Sequence, residues 1–263
     1  LDPLASGILP IALGEATKTV PYIIDATKGY RFTVCFGAST TTDDLEGEIA
    51  ETSDHRPTAA EIEAVLAKFS GEILQTPPAF SAIKVDGKRA YDLARAGQEV
   101  KLKARSVIIH KISLIEMPDA AHAVLEISCS KGTYVRSLAR DLALELGTVG
   151  HVTALRRTLH GPFLESHAIP LDKLTGLGHI PPASDTLWTH LKPLETALDD
   201  IPAFALSSDD ASRMKQGQGV LLRGRDAPIF SGPVLATHRG NPVALTEYGQ
   251  GELRPLRVFN LGS

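Results

Sequence analysis

Cys129-Ser130-Lys131-Gly132-Thr133-Tyr134-Val135-Arg136-Ser137-Leu138 runs from the end of a strand into the first turn of a helix. The stretch Ala123 to Cys129 reads as a strand, and a glycine at 132 opens the helix from about Thr133. Val135, Leu138, Ala139, Leu142 and Leu146 then repeat at helical spacing, and Gly147 stops the run. Such a junction sets Arg136 beside a loop, near a helix N-terminus. Its neighbours are apolar, so the guanidinium leaves the helix at its edge rather than straight into water. A plain surface arginine would gain from an i,i+4 partner. Arg140 stands at that spacing with the same charge, so no such gain exists.

Working outward, Tyr30 to Gly37 alternates Tyr30, Phe32, Val34 and Phe36 with Arg31, Thr33 and Cys35, the pattern of a half-buried strand. Thr58 and Glu61 form a capping box for a helix to about Phe69, with Ile62, Val65, Leu66 and Phe69 on its apolar face. Gln75 to Ser81 is broken by prolines and reads as irregular. Asp86-Gly87 signals a tight turn, followed by a short helix over Arg89–Ala96. Val107–Met117 and Ala123–Cys129 read as strands joined near Pro118-Asp119. Ala168 to Ala197, with Pro170, Pro181, Pro182 and Pro193, reads as a connector with short helices. From Ile201 the texture changes to short strands and glycine turns: Val220–Leu222, Gly232–His238 and Pro242–Tyr248. These patterns predict an α+β chain, a larger domain over 1–198 followed by a small β-barrel over 199–263.

The 263 residues, 43% hydrophobic and 22% charged, have the composition of an ordinary globular protein. No apolar run reaches a membrane span of about 18 residues and no signal peptide is visible, so a cytoplasmic protein without membrane contact is expected. Cys35 and Cys129 lie in apolar strand-like segments and are expected to be buried free thiols. The net charge of −4 hides a strong asymmetry. Ser39–Glu72 holds nine acidic and two basic residues, Lys84–Lys111 eight basic and three acidic, and Lys131–Arg157 five basic and two acidic. Affinity for a polyanion follows the local patch, although either patch alone could be no more than a solvated face.

Leu1-Asp2-Pro3-Leu4-Ala5-Ser6-Gly7 places a carboxylate on a short, stiff loop. Pro3 pushes Asp2 towards an extended conformation, and the small residues after it let another backbone approach. By itself Asp-Pro is as readily a turn former. Together with Cys129–Leu138 and three further segments, however, it resembles the bacterial tRNA pseudouridine synthases that modify uridine 55, the synthase B family. Those segments are Lys28-Gly29-Tyr30-Arg31, the run from Gln75 to Tyr91, and Ala154-Leu155-Arg156-Arg157. The resemblance implies a catalytic domain of the pseudouridine synthase type, with a mixed, largely antiparallel sheet and flanking helices. It implies an RNA-gripping insertion at about 75–105 and, more loosely over Gly217–Leu261, a PUA-like RNA-binding barrel.

It also implies the site. Asp2 is the catalytic carboxylate, Arg136 pairs with it, and Tyr30 stacks on the base and helps remove the C5 proton. Leu155 is an apolar wall of the base pocket. Lys84, Lys88, Arg89, Tyr91, Lys131, Tyr134, Arg156 and Arg157 bind substrate, the basic residues among them suiting phosphates. Lys101, Lys103 and Arg105 extend the basic patch. Family members carry lysine-proline and glycine-histidine segments upstream of the aspartate loop. The chain starts at Leu1, so it looks like a fragment in which Asp2 is poorly held and turnover is low.

The chemistry fits these residue types. Converting uridine to pseudouridine breaks N1–C1′, turns the uracil over and rejoins it through C5. No redox step, hydrolysis or external group is needed, so neither metal nor cofactor is expected, and no CxxC, HExxH or P-loop occurs. An ionised carboxylate is required, and a dry pocket disfavours one unless a cation such as Arg136 stands beside it. The nucleotide must leave its stack to reach Asp2. The partner expected is the T arm of tRNA, bound by a monomer without guide RNA. The alternatives are a guide-directed catalytic subunit, a non-catalytic tRNA-folding module that needs the basic patches but not Asp2, and an Asp-dependent hydrolase.

Overall fold

A computed structural model of the chain describes residues 2–81, 83–85, 88–91, 102–177, 189–222 and 228–261. In chain order the first elements are β1 (Ala5–Gly7), α1 (Val20–Ile24), β2 (Lys28–Phe36), β3 (Ala38–Thr40), β4 (Ile49–Thr52) and α2 (Ala59–Leu66). There follow β5 (Gly71–Gln75), β6 (Lys84–Val85), β7 (Lys88–Arg89), β8 (Arg105–Glu116), β9 (His122–Cys129), α3 (Val135–Glu145), β10 (Gly150–His160) and β11 (Phe163–Leu164). The last are α4 (Leu171–Leu177), β12 (Ala203–Ala205), α5 (Ser208–Lys215), β13 (Val220–Leu221), β14 (Pro233–His238), β15 (Asn241–Gly249) and β16 (Glu252–Val258).

Alternation makes β2 the spine of the larger sheet. Phe32, Val34 and Phe36 are buried on one face while Arg31 on the other is exposed. The sheet runs β1-β10-β2-β9-β8-β5, with β11 attached to β10. Among the described strands of this sheet only β1–β10 is a parallel pair, so the sheet is mixed and largely antiparallel, as the resemblance implied. Leu125, Ile127 and Cys129 of β9 and Ile109 of β8 continue the buried face, and Ile62 of α2 with Leu138 and Leu142 of α3 close over it. Complete burial of each large apolar side chain contributes about 1.5–3 kcal/mol.

The capping box of α2 is present, with Thr58 Oγ1 accepting from the Glu61 amide and the Glu61 carboxylate accepting from the Thr58 amide. The next helix begins later than its spacing suggests. Tyr134 is its extended N-cap, because Gly132 turns the chain at φ +80° and the buried Gln75 holds both backbone groups of Tyr134. Strand β10 escapes simple alternation because register shifts between Val152 and Ala154 and between Arg157 and Leu159 change the faces of its residues. Helix α5 is equally hidden: Ser207 caps it, but only Ala211 and Met214 are buried. Of the helix expected over Arg89–Ala96, Arg89 instead belongs to β7, which pairs antiparallel with β6, while residues 92–96 lie outside the described residues, as do Asp86, Gly87 and Lys101.

Two compact units divide the described chain. One comprises residues up to Leu9 and Asp25–Ala168; the other comprises Pro10–Ile24 and the chain from Ile169 onward. In the second, a five-stranded sheet runs β12-β14-β15-β16-β13, parallel only between β12 and β14. Tyr22 packs with Leu198, Leu235, Leu245 and Phe259, and Lys18 donates to the Val258 carbonyl at 2.8 Å. Both cysteines are free; Cys129 is buried and Cys35 half-buried. Among the described residues no helix is long and apolar enough to cross a membrane.

Candidate active site

Asp2 is held by a tight turn. The Ala5 amide donates to the Asp2 carbonyl at 2.9 Å, with Pro3 in the second position, where its fixed φ is favourable. The chain then enters β1 beside β10, with Ala5 opposite Leu155, Ser6 opposite Arg156 and Gly7 opposite Arg157. Gly7 has φ +92°, and a Cβ there would lie 2.2 Å from the Arg157 carbonyl oxygen. Only glycine permits this approach, and the approach fixes the register that sets Asp2 at the strand end.

Arg136, in the first turn of α3, is buried, and its guanidinium draws several segments together. Nε lies 2.8 Å from Asp2 Oδ2 and Nη1 3.3 Å from Asp44 Oδ2. Nη1 also donates to the Thr42 carbonyl at 2.9 Å and Nη2 to the Phe80 carbonyl at 3.0 Å. The Nε–H has no aligned hydrogen-bond acceptor, so its contact with Asp2 is an ion pair only. A buried guanidinium with two carboxylates is far better compensated than one left alone. The two differ in access: the Asp2 side chain is 34% exposed and that of Asp44 4%. Asp44 is committed inward, its Oδ1 accepting from the Thr42 hydroxyl and from the Glu46 amide at 3.0 Å. Asp2 is therefore the carboxylate that a substrate can reach.

Tyr30 stands on β2 opposite Arg157 of β10. Burial, above all, pushes its phenol above the ordinary value; Cys129 and the Asp2 charge add to this, while the nearby Arg157 cation opposes it. Tyr30 is thus a neutral phenol near pH 7. Leu155 is buried between Ala5 and Phe32, and Leu4, Ala5 and Tyr30 pack against the same core. Burial also pushes the Cys129 thiol up to about 11, so it is an inert core residue rather than a nucleophile.

The structure brings Asp2, Tyr30, Leu155 and Arg136 into one neighbourhood and places the other candidates around it. Arg157 is buried and turned inward: its Nε and Nη2 donate to the Ile8 carbonyl at 2.9 and 2.7 Å, so its geometry is that of a scaffold group rather than a surface cation. Arg156 is exposed and paired with Glu165, and Lys131 is exposed and paired with Asp25 at 2.6 Å. Tyr91 meets Phe80 edge-on at 6.1 Å. Lys84, Lys88 and Arg89 belong to the β6–β7 hairpin, and Lys103 and Arg105 are exposed.

Two groups were not evident from the sequence. Asp44 sat within an acidic stretch that reads as a solvated face; the signal was a pair of carboxylates shortly after the strand that carries Tyr30. Gln75 accepts from the Tyr134 amide at 2.7 Å and donates to its carbonyl at 3.0 Å, fixing the N-cap of the helix that bears Arg136. Among the described residues no group of three or more His, Cys, Asp or Glu could hold a metal ion.

Residues 1–135 match the TruB family pseudouridylate synthase N-terminal domain, and residues 136–199 match the tRNA pseudouridylate synthase B C-terminal domain. A tRNA pseudouridine synthase B of Bradyrhizobium diazoefficiens is 56% identical over 262 residues, covering 99% of this chain and 76% of that protein. The protein of the same name from Agrobacterium fabrum is 51% identical, covering 98% and 83%. The fold is shared with a chain from the structure of an H/ACA RNP bound to a substrate RNA containing 2′-deoxyuridine. There the TM-score is 0.74 at 22% identity, over 99% of this chain and 74% of that one. An archaeal box H/ACA sRNP Nop10-Cbf5 complex gives 0.70 at 22% identity, over 98% and 74%.

Proposed function

Since the chain belongs to the TruB family of pseudouridylate synthases, we propose that Asp2 is the carboxylate with which it converts a uridine of tRNA to pseudouridine. The observation that carries this reading is the partly exposed Asp2 carboxylate 2.8 Å from the buried Nε of Arg136. Asp2 acts as an anion, attacking the nucleotide or stabilising a cationic sugar while N1–C1′ breaks and C5 turns to meet C1′. Arg136, held from behind by Asp44, keeps that charge in a pocket dry enough for uracil. Tyr30 offers a neutral ring for stacking and Leu155 an apolar wall. With its pKa raised by burial, the Tyr30 phenol is protonated at neutral pH and is a poor base, so it can take the C5 proton only by passing its own hydroxyl proton to solvent water.

The target in this reading is uridine 55, flipped out of the T loop. The β6–β7 hairpin with Lys84, Lys88, Arg89 and Tyr91 grips the T arm, and Lys131, Tyr134 and Arg156 line the approach. The five-stranded sheet of the second unit serves as a PUA-like RNA-binding module. In this reading the protein acts as a monomer, without guide RNA or cofactor. The test is tritium release from a 5-³H-uridine T-arm stem-loop, with no guide RNA added to the full-length protein. Release is expected from the native loop and not from one whose only labelled uridine stands elsewhere. No release from the native loop would overturn the assignment.

A further inference from the structure

Behind Arg136 lies a second arginine, one helical turn along α3. Arg140 Nη1 donates to Asp43 Oδ2 at 3.0 Å, Nη2 donates to the Thr76 carbonyl at 2.9 Å, and Nε donates to Asp141 Oδ1 at 3.0 Å. The side chains of Asp43 and Arg140 are only 15% and 26% exposed, so solvent weakens this pair far less than a surface one. Asp43 lies between Thr42 and Asp44, the two residues that contact Arg136. Its carbonyl accepts from the Val152 amide of β10 at 3.0 Å, and its φ is +60°, a left-handed conformation in which aspartate and asparagine are the best tolerated residues after glycine.

We propose that Arg140 is a positioning residue: through its ion pair with Asp43 it fixes the loop whose Thr42 and Asp44 hold the Arg136 guanidinium against Asp2. This rests on the functional reading above. The like-charged arginines at i and i+4 thus do not oppose each other idly, because each meets a carboxylate of the same short loop. The charged groups around Asp43 are Arg140, Arg136 and Asp141 of α3 and Asp44 of its own loop. Burial, chiefly, pushes the Asp43 carboxyl up, and Arg140 most strongly opposes it. Removing Arg140 therefore moves this titration further up, and the acid limb of the rate profile should move up with it.

The test uses Arg140→Gln, Asp43→Asn and their combination in the full-length protein; asparagine keeps the left-handed backbone while losing the charge. Single-turnover rates on the T-arm stem-loop should fall about tenfold, a displacement of well under 1 Å being enough for that. Stem-loop affinity should stay within about twofold, and the double variant should be no slower than either single one, as expected for groups acting as one unit. Arg140→Lys, able to meet Asp43 but not to span all three acceptors, should recover part of the rate. Independently of any substrate, solvent exchange of the buried Arg136 Nε–H, read by ¹⁵N NMR, should speed up by about tenfold in both single variants. Wild-type rates, or a slowed reaction with unchanged Arg136 exchange, would overturn the proposal. A wild-type protein inactive on the stem-loop would instead overturn the functional reading, while the exchange data still decide the role of Arg140.

Discussion

At Arg136 one guanidinium meets two carboxylates of unequal exposure, and the inequality separates their work. Asp44 is locked by its own hydrogen bonds and supports the cation, whereas Asp2 is left open to a nucleotide. Arg136→Met leaves two carboxylates facing each other without a cation. Loss of a partner from a buried pair costs about 3–5 kcal/mol, so turnover should drop by on the order of 10²-fold or more, measured as single-turnover tritium release. Arg136→Lys should recover only part, because a point charge cannot reach Asp2, Asp44 and the Thr42 and Phe80 carbonyls together. A Met variant at wild-type rate would mean another cation serves Asp2. Tyr30 separates ring from hydroxyl: Tyr30→Phe should bind the stem-loop within about twofold of wild type. Tyr30→Ala should weaken binding by about 1–3 kcal/mol in a titration, if a base stacks there.

The element that positions Asp2 is β1, three residues long and, among the described strands, the one that pairs parallel with β10. Gly7→Ala must displace the Arg157 backbone or the strand itself, so it should lower both melting temperature and turnover; an unchanged rate would show that Asp2 does not depend on β1. On α3, burial pushes the Asp141 carboxyl up, with Arg140 opposing. A raised pKa means that the folded state binds the proton more tightly, so this group's contribution to stability falls as pH rises from about 4 through the raised value. Asp141→Asn lacks this dependence. The stability difference between wild type and variant, followed by melting from pH 4 to pH 7, should therefore shift in the variant's favour as pH rises.

These elements also show what could be read in advance. Strand β2 and helices α2 and α3 were legible because each buries one face of a regular repeat, whereas Asp2, Tyr30 and Arg136 were singled out by the resemblance to the synthase B family and by no periodicity of their own. Strand β10 was obscured by its bulges, and α5 by having two buried residues. Asp44 and Gln75 were missed for a different reason. Their meaning lies in contacts with residues 92 and 59 positions away, Arg136 and Tyr134, which no local pattern encodes.

The whole molecule carries a net charge of −4 yet concentrates basic residues over Lys84–Lys111. RNA affinity should weaken steeply with salt. Replacing any one of Lys84, Lys88, Arg89, Lys101, Lys103 or Arg105 by alanine should reduce the log–log slope by roughly 0.7–0.9, the share of one neutralised phosphate. A slope unchanged after three of these become alanine would move the RNA site elsewhere on the surface. Binding that rests on several basic residues should survive the loss of one carboxylate, whereas chemistry should not. Asp2→Asn keeps the shape of the side chain and removes its charge. Measured side by side in the full-length protein, stem-loop affinity should remain nearly unchanged while single-turnover conversion of uridine to pseudouridine becomes undetectable. Measurable conversion by the Asn variant would contradict the role assigned to Asp2.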